Sequence, residues 1–235
     1  MRRAYLAPEL FDALRSGQAR LPKDVAHHFT KVLRLEEGQA IELFDGEGRL
    51  MSAEFAVPDA VKNLVDLKVP PPRCRSIIVQ ARVRQQKLDE VVRRASELGA
   101  AEVWVFEAER SQKGSVRSER LEKIAQQAAR QSERTFVCQL RFFETNKALD
   151  EALENFRGLK VCGTLSASDS FSSALKTLPT EVLAIVGPEG GLSEGEIERF
   201  LGLGVKEVRL GAHVLRTETA QAAILSAIQV RLGDL

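Results

Sequence analysis

Two loops near the C-terminus combine glycines with charged side chains in patterns suited to ligand binding. The first, residues 187–191, reads Gly-Pro-Glu-Gly-Gly, and its glycines let a ligand approach the main chain closely. Its one formal charge is Glu189, which could offset a bound cation, bond a ribose hydroxyl or stabilise the loop itself. The second loop, residues 212–216, follows Gly211 and ends at Arg216, whose guanidinium could stabilise a developing anion. The residue types therefore indicate ligand binding with charge stabilisation beside it.

Strands and helices must hold these loops in place, and the flanking residues predict both. The apolar run Val182–Val186 is typical of a buried strand. Ser193 is followed three residues later by Glu196, the spacing of a capping box at a helix start. Residues 208–211 likewise read as a short strand end, and Thr217 opens a helix. If the two strands are neighbours in a parallel sheet, the two loops form one wall of a ligand crevice.

The glycine spacing also has a plainer explanation. Glycine is common in ordinary turns between strands and helices, and spacing alone does not exclude that interpretation. Neither loop matches the two glycine patterns that cradle nucleotide phosphates, G-x-G-x-x-G and G-x-x-x-x-G-K-S/T. A nucleotide phosphate is therefore not the expected ligand.

The two motifs resemble a known family. Residues 187–198, GPEGGLSEGEIE, and residues 210–229, LGAHVLRTETAQAAILSAIQ, are similar to the signature of the SPOUT-class methyltransferases, and more narrowly of the RsmE family. The resemblance covers nearly the whole chain. It implies an α/β fold with a deep trefoil knot and S-adenosylmethionine as cofactor. It also implies methylation of N3 of a uridine in 16S rRNA, of the uridine 1498 type.

The cofactor is a sulfonium cation with an adenosine and an amino-acid tail, so its site needs apolar walls and an accessible main chain. The resemblance and these needs together predict thirteen cofactor-binding residues, namely Leu165, Gly187, Pro188, Glu189, Gly190, Gly191, Leu210, Gly211, Val214, Leu215, Arg216, Thr217 and Ala220. Uracil N3 is a poor nucleophile until it loses its proton. We expect Arg216 to stabilise the resulting anion and Arg110 to orient or hold the RNA, and these two are the predicted catalytic residues.

The chain divides into two predicted domains at a proline run, Pro70–Pro72, which cannot continue a helix or a central strand. Residues 1–70 read as a β-rich unit with one helix, Lys23–Arg34, and a hairpin turning at residues 45–48. This segment resembles the PUA-like RNA-binding domain of the same family. Residues 74–235 alternate strands with helices, which predicts a parallel sheet covered on both faces.

Positive charge concentrates in the middle of the chain. The whole chain carries a net charge of +1, but residues 73–134 hold 14 Lys or Arg against 9 Asp or Glu. A predicted helix, Ser118–Glu133, carries a basic stripe that could follow phosphates, although a solvated helix face would have the same pattern. The predicted RNA contacts are Arg2, Arg3, Arg34, Arg110, Lys113, Lys123, Arg130 and Arg134. The chain departs from the family at Arg130, Glu133 and Cys138, in the substrate-facing half.

The final predicted helix, Thr219–Leu232, is apolar nearly all round, so we expect burial partly in its own core and partly against a second copy in a homodimer. The three cysteines show no C-x-x-C spacing and no metal site is expected. No secretory signal and no membrane span are predicted, which favours the cytoplasm. Two alternatives stay open: a SPOUT enzyme acting on another RNA atom, and a non-catalytic RNA-binding factor.

Overall fold

The computed structural model describes residues 2–177 and 179–235. These residues form two compact units. The first comprises the chain up to Pro71 together with Ala129–Val137, and the second comprises Pro72–Ala128 together with Cys138–Leu235. The sequence placed the boundary in the same proline run. It did not predict that residues 129–137 return to the first unit.

The first unit is a four-stranded sheet whose helices lie between its first two strands in the sequence. Its strands are ordered β1-β2-β3-β4, with β1 parallel to β2 and the other pairs antiparallel. The predicted hairpin is formed by β2 and β3, and the Asp45 carboxylate caps its turn by accepting from the main-chain N–H groups of Glu47 (2.8 Å) and Arg49 (2.9 Å). The elements are β1 Arg3–Tyr5, α1 Pro8–Arg15, α2 Lys23–His27, a π-helical turn His28–Val32, β2 Ala40–Phe44, β3 Leu50–Ala56 and β4 Ala60–Leu67.

The helix prediction for this unit is only partly confirmed. The predicted helix to Arg34 leaves α-geometry at His28, where the Leu33 N–H reaches back five residues to the His28 carbonyl (2.9 Å), and Arg34 then takes a positive φ of 52°. A second helix, α1, was not predicted. It begins with Pro8 in its first turn and buries Phe11 and Leu14 in the core.

Residues 129–137 join the first unit through polar contacts. Arg3 donates to the Glu133 carbonyl (2.7 Å) and to the Thr135 hydroxyl (2.9 Å), and the Val137 N–H donates to the Gly46 carbonyl (2.9 Å). Arg3 and Glu133 lie 130 residues apart in sequence, so no local pattern indicates their contact.

The second unit is a six-stranded, all-parallel sheet with the order β10-β8-β9-β5-β6-β7, which confirms the predicted α/β alternation. Its strands are β5 Arg75–Ala81, β6 Glu102–Phe106, β7 Gln139–Phe143, β8 Leu159–Gly163, β9 Glu181–Val186 and β10 Lys206–Val208. Its helices are α3 Gln85–Glu97, α4 Ser118–Gln131, α5 Asn146–Asn155, α6 Phe171–Ala174, α7 Glu194–Gly202 and α8 Thr217–Leu232, with the last residues of α4 belonging to the first unit.

The two strands that lead into the glycine loops are not neighbours, so that prediction is wrong. Strand β8 lies between them, and its Val161 is opposite Ala184 of β9 on one side and Lys206 of β10 on the other. The carboxyl ends of parallel strands still meet at one edge of the sheet, so the loops after β8, β9 and β10 all open there.

Helix α8 is partly buried within its own chain, as predicted, and burial of the rest against a second copy stays a prediction. Ile224, Leu225 and Ile228 lie in the core, whereas Val230 is 62% exposed. The knot implied by the family resemblance stays a prediction. Within residues 2–177 and 179–235, no helix is both long and apolar enough to cross a membrane.

Candidate functional site

A cavity of about 550 Å³ lies at the carboxyl edge of the six-stranded sheet. It is bounded by the loops after β8, β9 and β10 and by the first turns of α8. All thirteen predicted cofactor residues line this one cavity. Nine further residues complete its lining: Lys87, Gly163, Thr164, Ile185, Val186, Leu192, Ile197, His213 and Ile224.

The loop after β9 needs its glycines for two different reasons. Gly191 has a φ of +72°, which side chains rarely tolerate. At Gly190 the limit is space, because an added Cβ would stand 3.3 Å from the Cβ of Arg110. The loop is therefore closely packed behind and open towards the cavity, as a main-chain ligand site requires.

The predicted capping box at the start of α7 is confirmed. The Ser193 hydroxyl accepts from the Glu196 N–H (3.3 Å), and the Glu196 carboxylate accepts from the Ser193 N–H (2.9 Å). The second oxygen of Glu196 also accepts from the Glu109 N–H (2.9 Å). The carboxylate thus ties the loop after β6 to the loop after β9.

Arg110 strengthens the same connection. Its Nη1 donates to the Gly190 carbonyl (3.0 Å), while the rest of its side chain is exposed. At the cavity rim, Lys87 pairs with Glu189 (3.2 Å). The carboxylate that the sequence offered to a cationic ligand is therefore already near one cation.

Arg216 occupies the N-cap position of α8, and its side chain is exposed at the cavity. The next residue, Thr217, donates its hydroxyl proton to the Gly187 carbonyl (2.8 Å). The positive end of the helix and the guanidinium lie together, so this end of the cavity favours negative charge. An anion formed beside Arg216 would be stabilised by both.

Apolar side chains form the wall opposite the glycine loop. Leu210 packs so close to the main chain of Gly163 that an added Cβ there would lie 3.2 Å from its Cδ1. Leu165 and Val214 are largely exposed, Val214 at 79%, which leaves this wall open to an incoming ligand. The Thr164 Oγ1 is buried yet makes no hydrogen bond within the described part of the chain. A cavity that combines apolar walls, close main chain and one unused hydroxyl fits an adenosine-bearing ligand with a polar tail.

Cysteine nucleophiles are excluded from this site. Cys162 immediately precedes the cavity residue Gly163 in the chain. Burial raises the pKa of its thiol to about 12, with a smaller contribution from Glu207. Burial raises the pKa of Cys138 to about 12 as well. Both thiols are therefore neutral and unreactive at physiological pH.

The eight predicted RNA contacts are divided between the two units. Arg110, Lys113 and Lys123 belong to the second unit and the other five to the first. Lys123 lines a surface groove of about 750 Å³ together with Arg117 and Arg120, neither of which was predicted.

The predicted phosphate contact at Arg3 is corrected by its burial. Arg3 is 4% exposed, its guanidinium lies 4.6 Å from the ring centre of Phe44, and its donors serve Glu133 and Thr135. Burial also lowers the pKa of Arg3, partly opposed by the nearby Glu42. No phosphate can reach this group while the fold is intact.

Four residues with polar side chains at or behind the cavity were missed as site residues: Gln80, Lys87, Thr164 and His213. Gln80 had a visible signal, because a glutamine within the apolar strand β5 is unusual in a sheet buried on both faces. The side chain is fully buried, and its amide nitrogen lies 3.0 Å from the Thr217 hydroxyl. Lys87, Thr164 and His213 had no comparable signal, since their side chains look ordinary in sequence.

Comparison with known proteins agrees with these features. A model described as the RNA methyltransferase domain matches residues 70–229, and one described as the RNA methyltransferase PUA domain matches residues 21–60. The ribosomal RNA small subunit methyltransferase E of Bacillus subtilis is 31% identical over 222 residues, covering 86% of each chain. The Rickettsia conorii protein of the same name is 29% identical over 225 residues, covering 88% of this chain and 86% of its own.

Solved structures share the fold over almost the full length. A Legionella pneumophila methyltransferase in complex with S-adenosylmethionine has a TM-score of 0.80 at 25% identity, covering 98% of this chain and 97% of its own. The Neisseria gonorrhoeae ribosomal RNA small subunit methyltransferase E, bound to the same cofactor, has a TM-score of 0.81 at 24% identity, with the same coverage. From the domain match and the relatives together, the chain belongs to the RNA methyltransferase family, within the group of ribosomal RNA small subunit methyltransferase E (RsmE) proteins.

Proposed function

We propose that this protein transfers a methyl group from S-adenosylmethionine to N3 of a uridine in 16S rRNA, of the uridine 1498 type. The observation that carries the proposal is the single cavity lined by all thirteen residues expected to bind the cofactor, in a chain of the RNA methyltransferase family. The trefoil knot, which is rare among folds, belongs to the same proposal.

The residues of the cavity fit the cofactor. Main chain around Gly190 and Gly191 can meet the polar groups of the adenosine, and the Leu210 wall can cover its apolar face. Thr164 offers a buried hydroxyl that has no other partner within the described residues. The Glu189 carboxylate lies at the rim, where it can offset a positive charge. When bound, S-adenosylmethionine supplies an electrophilic methyl group on its sulfonium.

The chain's own chemical contribution is charge stabilisation and positioning. Uracil N3 must lose its proton to become a nucleophile, and the negative charge then spreads onto the two flanking carbonyl oxygens. The Arg216 guanidinium, at the positive end of α8, can donate hydrogen bonds to that anion. Arg110, which already holds the Gly190 carbonyl, orients the loop and keeps further donors free for RNA. Bringing the two reactants together in one orientation supplies much of the remaining rate gain.

The RNA would be held by basic side chains outside the cavity. Lys113 and Lys123 are exposed on the second unit, and Arg2, Arg34, Arg130 and Arg134 belong to the first. Such contacts position the RNA backbone without reading its sequence. Because the proposed substrate is ribosomal RNA or an assembling subunit, the proposal places the protein in the cytoplasm.

We also propose that the protein is a homodimer that associates through its second unit. Helix α8 is apolar, yet it leaves Val230 62% exposed and Ala223 and Ala227 only partly covered, so a second copy can bury the remaining surface. Light scattering at micromolar concentration should give twice the chain mass of 26.0 kDa. A monomer mass would contradict the proposal.

Calorimetric titration with S-adenosylmethionine tests the cofactor site, using the parent protein and Gly190→Val. The branched side chain has no room beside Arg110, so we expect about one site per chain in the parent and at least a ~100-fold weaker affinity in the variant. Gly195→Ala is the matched control, because an added Cβ at that helical position meets no atom within 4 Å. Its affinity should equal that of the parent.

The methylated atom is tested separately. Small subunits from cells that lack this protein are incubated with enzyme and cofactor, and the modified nucleotide is identified by mass spectrometry and by its block to reverse transcription at N3. A ribose-methylated product would favour the alternative enzyme. If the parent does not bind S-adenosylmethionine with or without rRNA, the non-catalytic RNA-binding factor becomes the better account.

A further inference from the structure

Behind the cavity, the fully buried side chain of Gln80 connects three elements of the second unit. It extends from β5, does not line the cavity, and its Nε2 lies 2.8 Å from the Ala81 carbonyl and 3.0 Å from the Thr217 hydroxyl. The carbonyls of Val186 and Gly187 are each 3.5 Å from the same nitrogen. The amide therefore links strand β5, the end of β9 and the start of α8.

The surrounding carbonyls determine which way the amide points. Rotating it by a half-turn would place its oxygen against acceptors, above all the Ala81 carbonyl, which is unfavourable. With the nitrogen in place, Gln80 donates to Thr217 Oγ1. The Thr217 hydroxyl has a single proton, and its other close partner is the Gly187 carbonyl at 2.8 Å, so the proton is directed there. The hydrogen bonds therefore run in one direction, from Gln80 through Thr217 to Gly187.

The Gly187 carbonyl matters because of the residue that follows it. Pro188 has no N–H, so the carbonyl is the only hydrogen-bonding group of the peptide unit that leads from β9 into the glycine loop. Its orientation fixes the plane of that peptide and the direction in which the loop leaves the strand. An added Cβ at Gly187 would lie 3.2 Å from Leu192, so the main chain here has little room to settle elsewhere.

We propose that Gln80 is a positioning residue for cofactor binding. It acts through the Thr217 hydroxyl to hold the Gly187 peptide, and hence the loop 187–191, in the conformation that receives the ligand. This inference rests on the proposed function, because it assigns a role toward the same cofactor. It also changes the role of Thr217, whose hydroxyl proton serves the protein's own loop rather than the ligand.

The first test is Gln80→Met, which keeps the side-chain length and removes the donor. We expect S-adenosylmethionine to bind about tenfold more weakly, and hydrogen exchange of residues 187–192 to be faster in the cofactor-free protein. The matched control is Gln229→Met. Gln229, on α8, is also a buried glutamine of this unit, and its amide donates to the Leu98 carbonyl (3.0 Å). The control should keep the parent's affinity and loop exchange.

A double-mutant cycle separates an effect through Thr217 from a general loss of packing. Thr217→Val should weaken binding about tenfold, Thr217→Ser should restore it, and Gln80→Met should add no further loss to Thr217→Val. If Gln80→Met does not fold, the Thr217→Val and Thr217→Ser pair still decides whether the hydroxyl holds the loop.

The outcomes separate this inference from the proposed function. Unchanged affinity and loop exchange in Gln80→Met, or effects that add in the double variant, would overturn the positioning role while cofactor binding by the parent stands. A parent that fails to bind S-adenosylmethionine would remove the proposed function instead. Hydrogen exchange in the cofactor-free protein would then still decide whether Gln80 orders the loop.

Discussion

The cofactor cavity and the basic surface differ in how much of them can be predicted from the chain. All thirteen predicted cofactor residues line one cavity, whereas the eight predicted RNA contacts are divided between two units and one of them, Arg3, is buried. The cavity is built from main chain, which demands glycine at particular places. A basic surface requires only positively charged side chains. Such side chains occur equally on solvated helix faces and in buried hydrogen-bond networks, so their presence alone does not identify an RNA contact. Local conformational needs, read together with the family resemblance, therefore predict the site residues more reliably than positive charge does.

The largest expected effect lies at Arg216, the arginine that lines the cofactor cavity. In Arg216→Ala we expect methyl transfer to fall about 100- to 1,000-fold, as when one donor to a developing anion is removed, with cofactor affinity within about threefold of the parent. Single-turnover methylation and calorimetric titration measure the two quantities.

Arg209→Ala is the matched control, because Arg209 is an exposed arginine close in sequence that does not line the cavity. Its turnover should equal that of the parent. Near-normal turnover in Arg216→Ala would remove the assignment of the guanidinium as the anion-stabilising group.

Elements with a strong local signal were predicted well. The β2–β3 hairpin follows from its turn residues, and the capping box of α7 follows from Ser193 and Glu196. The alternation of strands and helices indicated the parallel sheet. These features depend on residues within a few positions of one another, so the interactions that form them can be predicted from the sequence.

Elements that depend on distant partners were not predicted. Strand β8 lies between β9 and β10 in the sheet, and hydrophobic periodicity does not determine the order of strands. The return of residues 129–137 to the first unit depends on contacts such as that between Arg3 and Thr135. Gln80 is the corresponding case in the site, because its partner Thr217 lies 137 residues away.

A pair of variants tests the difference between buried and exposed positive charge. Arg3→Ala leaves the Glu133 carbonyl and the Thr135 hydroxyl without their donor, so we expect the free energy of unfolding to fall by about 3 kcal/mol. Lys123→Ala should change stability by less than about 0.5 kcal/mol, because Lys123 is exposed. Urea denaturation measures both changes.

RNA binding should show the opposite order. In a titration of rRNA fragments over a range of salt concentrations, Lys123→Ala should reduce the slope of log K against log salt by about 1, the loss of one phosphate contact. Arg3→Ala, measured where it is still folded, should keep the parent's slope. A reduced slope for Arg3 with an unchanged slope for Lys123 would reverse the distinction.

A smaller effect than that at Arg3 is expected at Glu196, where a capping carboxylate also accepts a hydrogen bond from a residue distant in sequence. Its carboxylate is 8% exposed and accepts from the N–H groups of Ser193 and Glu109, so Glu196→Ala leaves two donors unsatisfied. We expect a loss of about 2 kcal/mol in the free energy of unfolding. Ser193→Ala removes only the local half of the capping box and should cost about 1 kcal/mol. Urea denaturation of both variants measures the difference.

Cofactor affinity separates the two roles of this cap more clearly than stability does. The hydrogen bond from the Glu109 N–H to the Glu196 carboxylate positions the segment that carries Arg110, and Arg110 in turn holds the Gly190 carbonyl. Glu196→Ala should therefore weaken S-adenosylmethionine binding several-fold, whereas Ser193→Ala, which leaves the Glu109 contact intact, should not. Equal affinities in the two variants would mean that the cap stabilises α7 alone, and that the glycine loop keeps its conformation without support from the loop after β6.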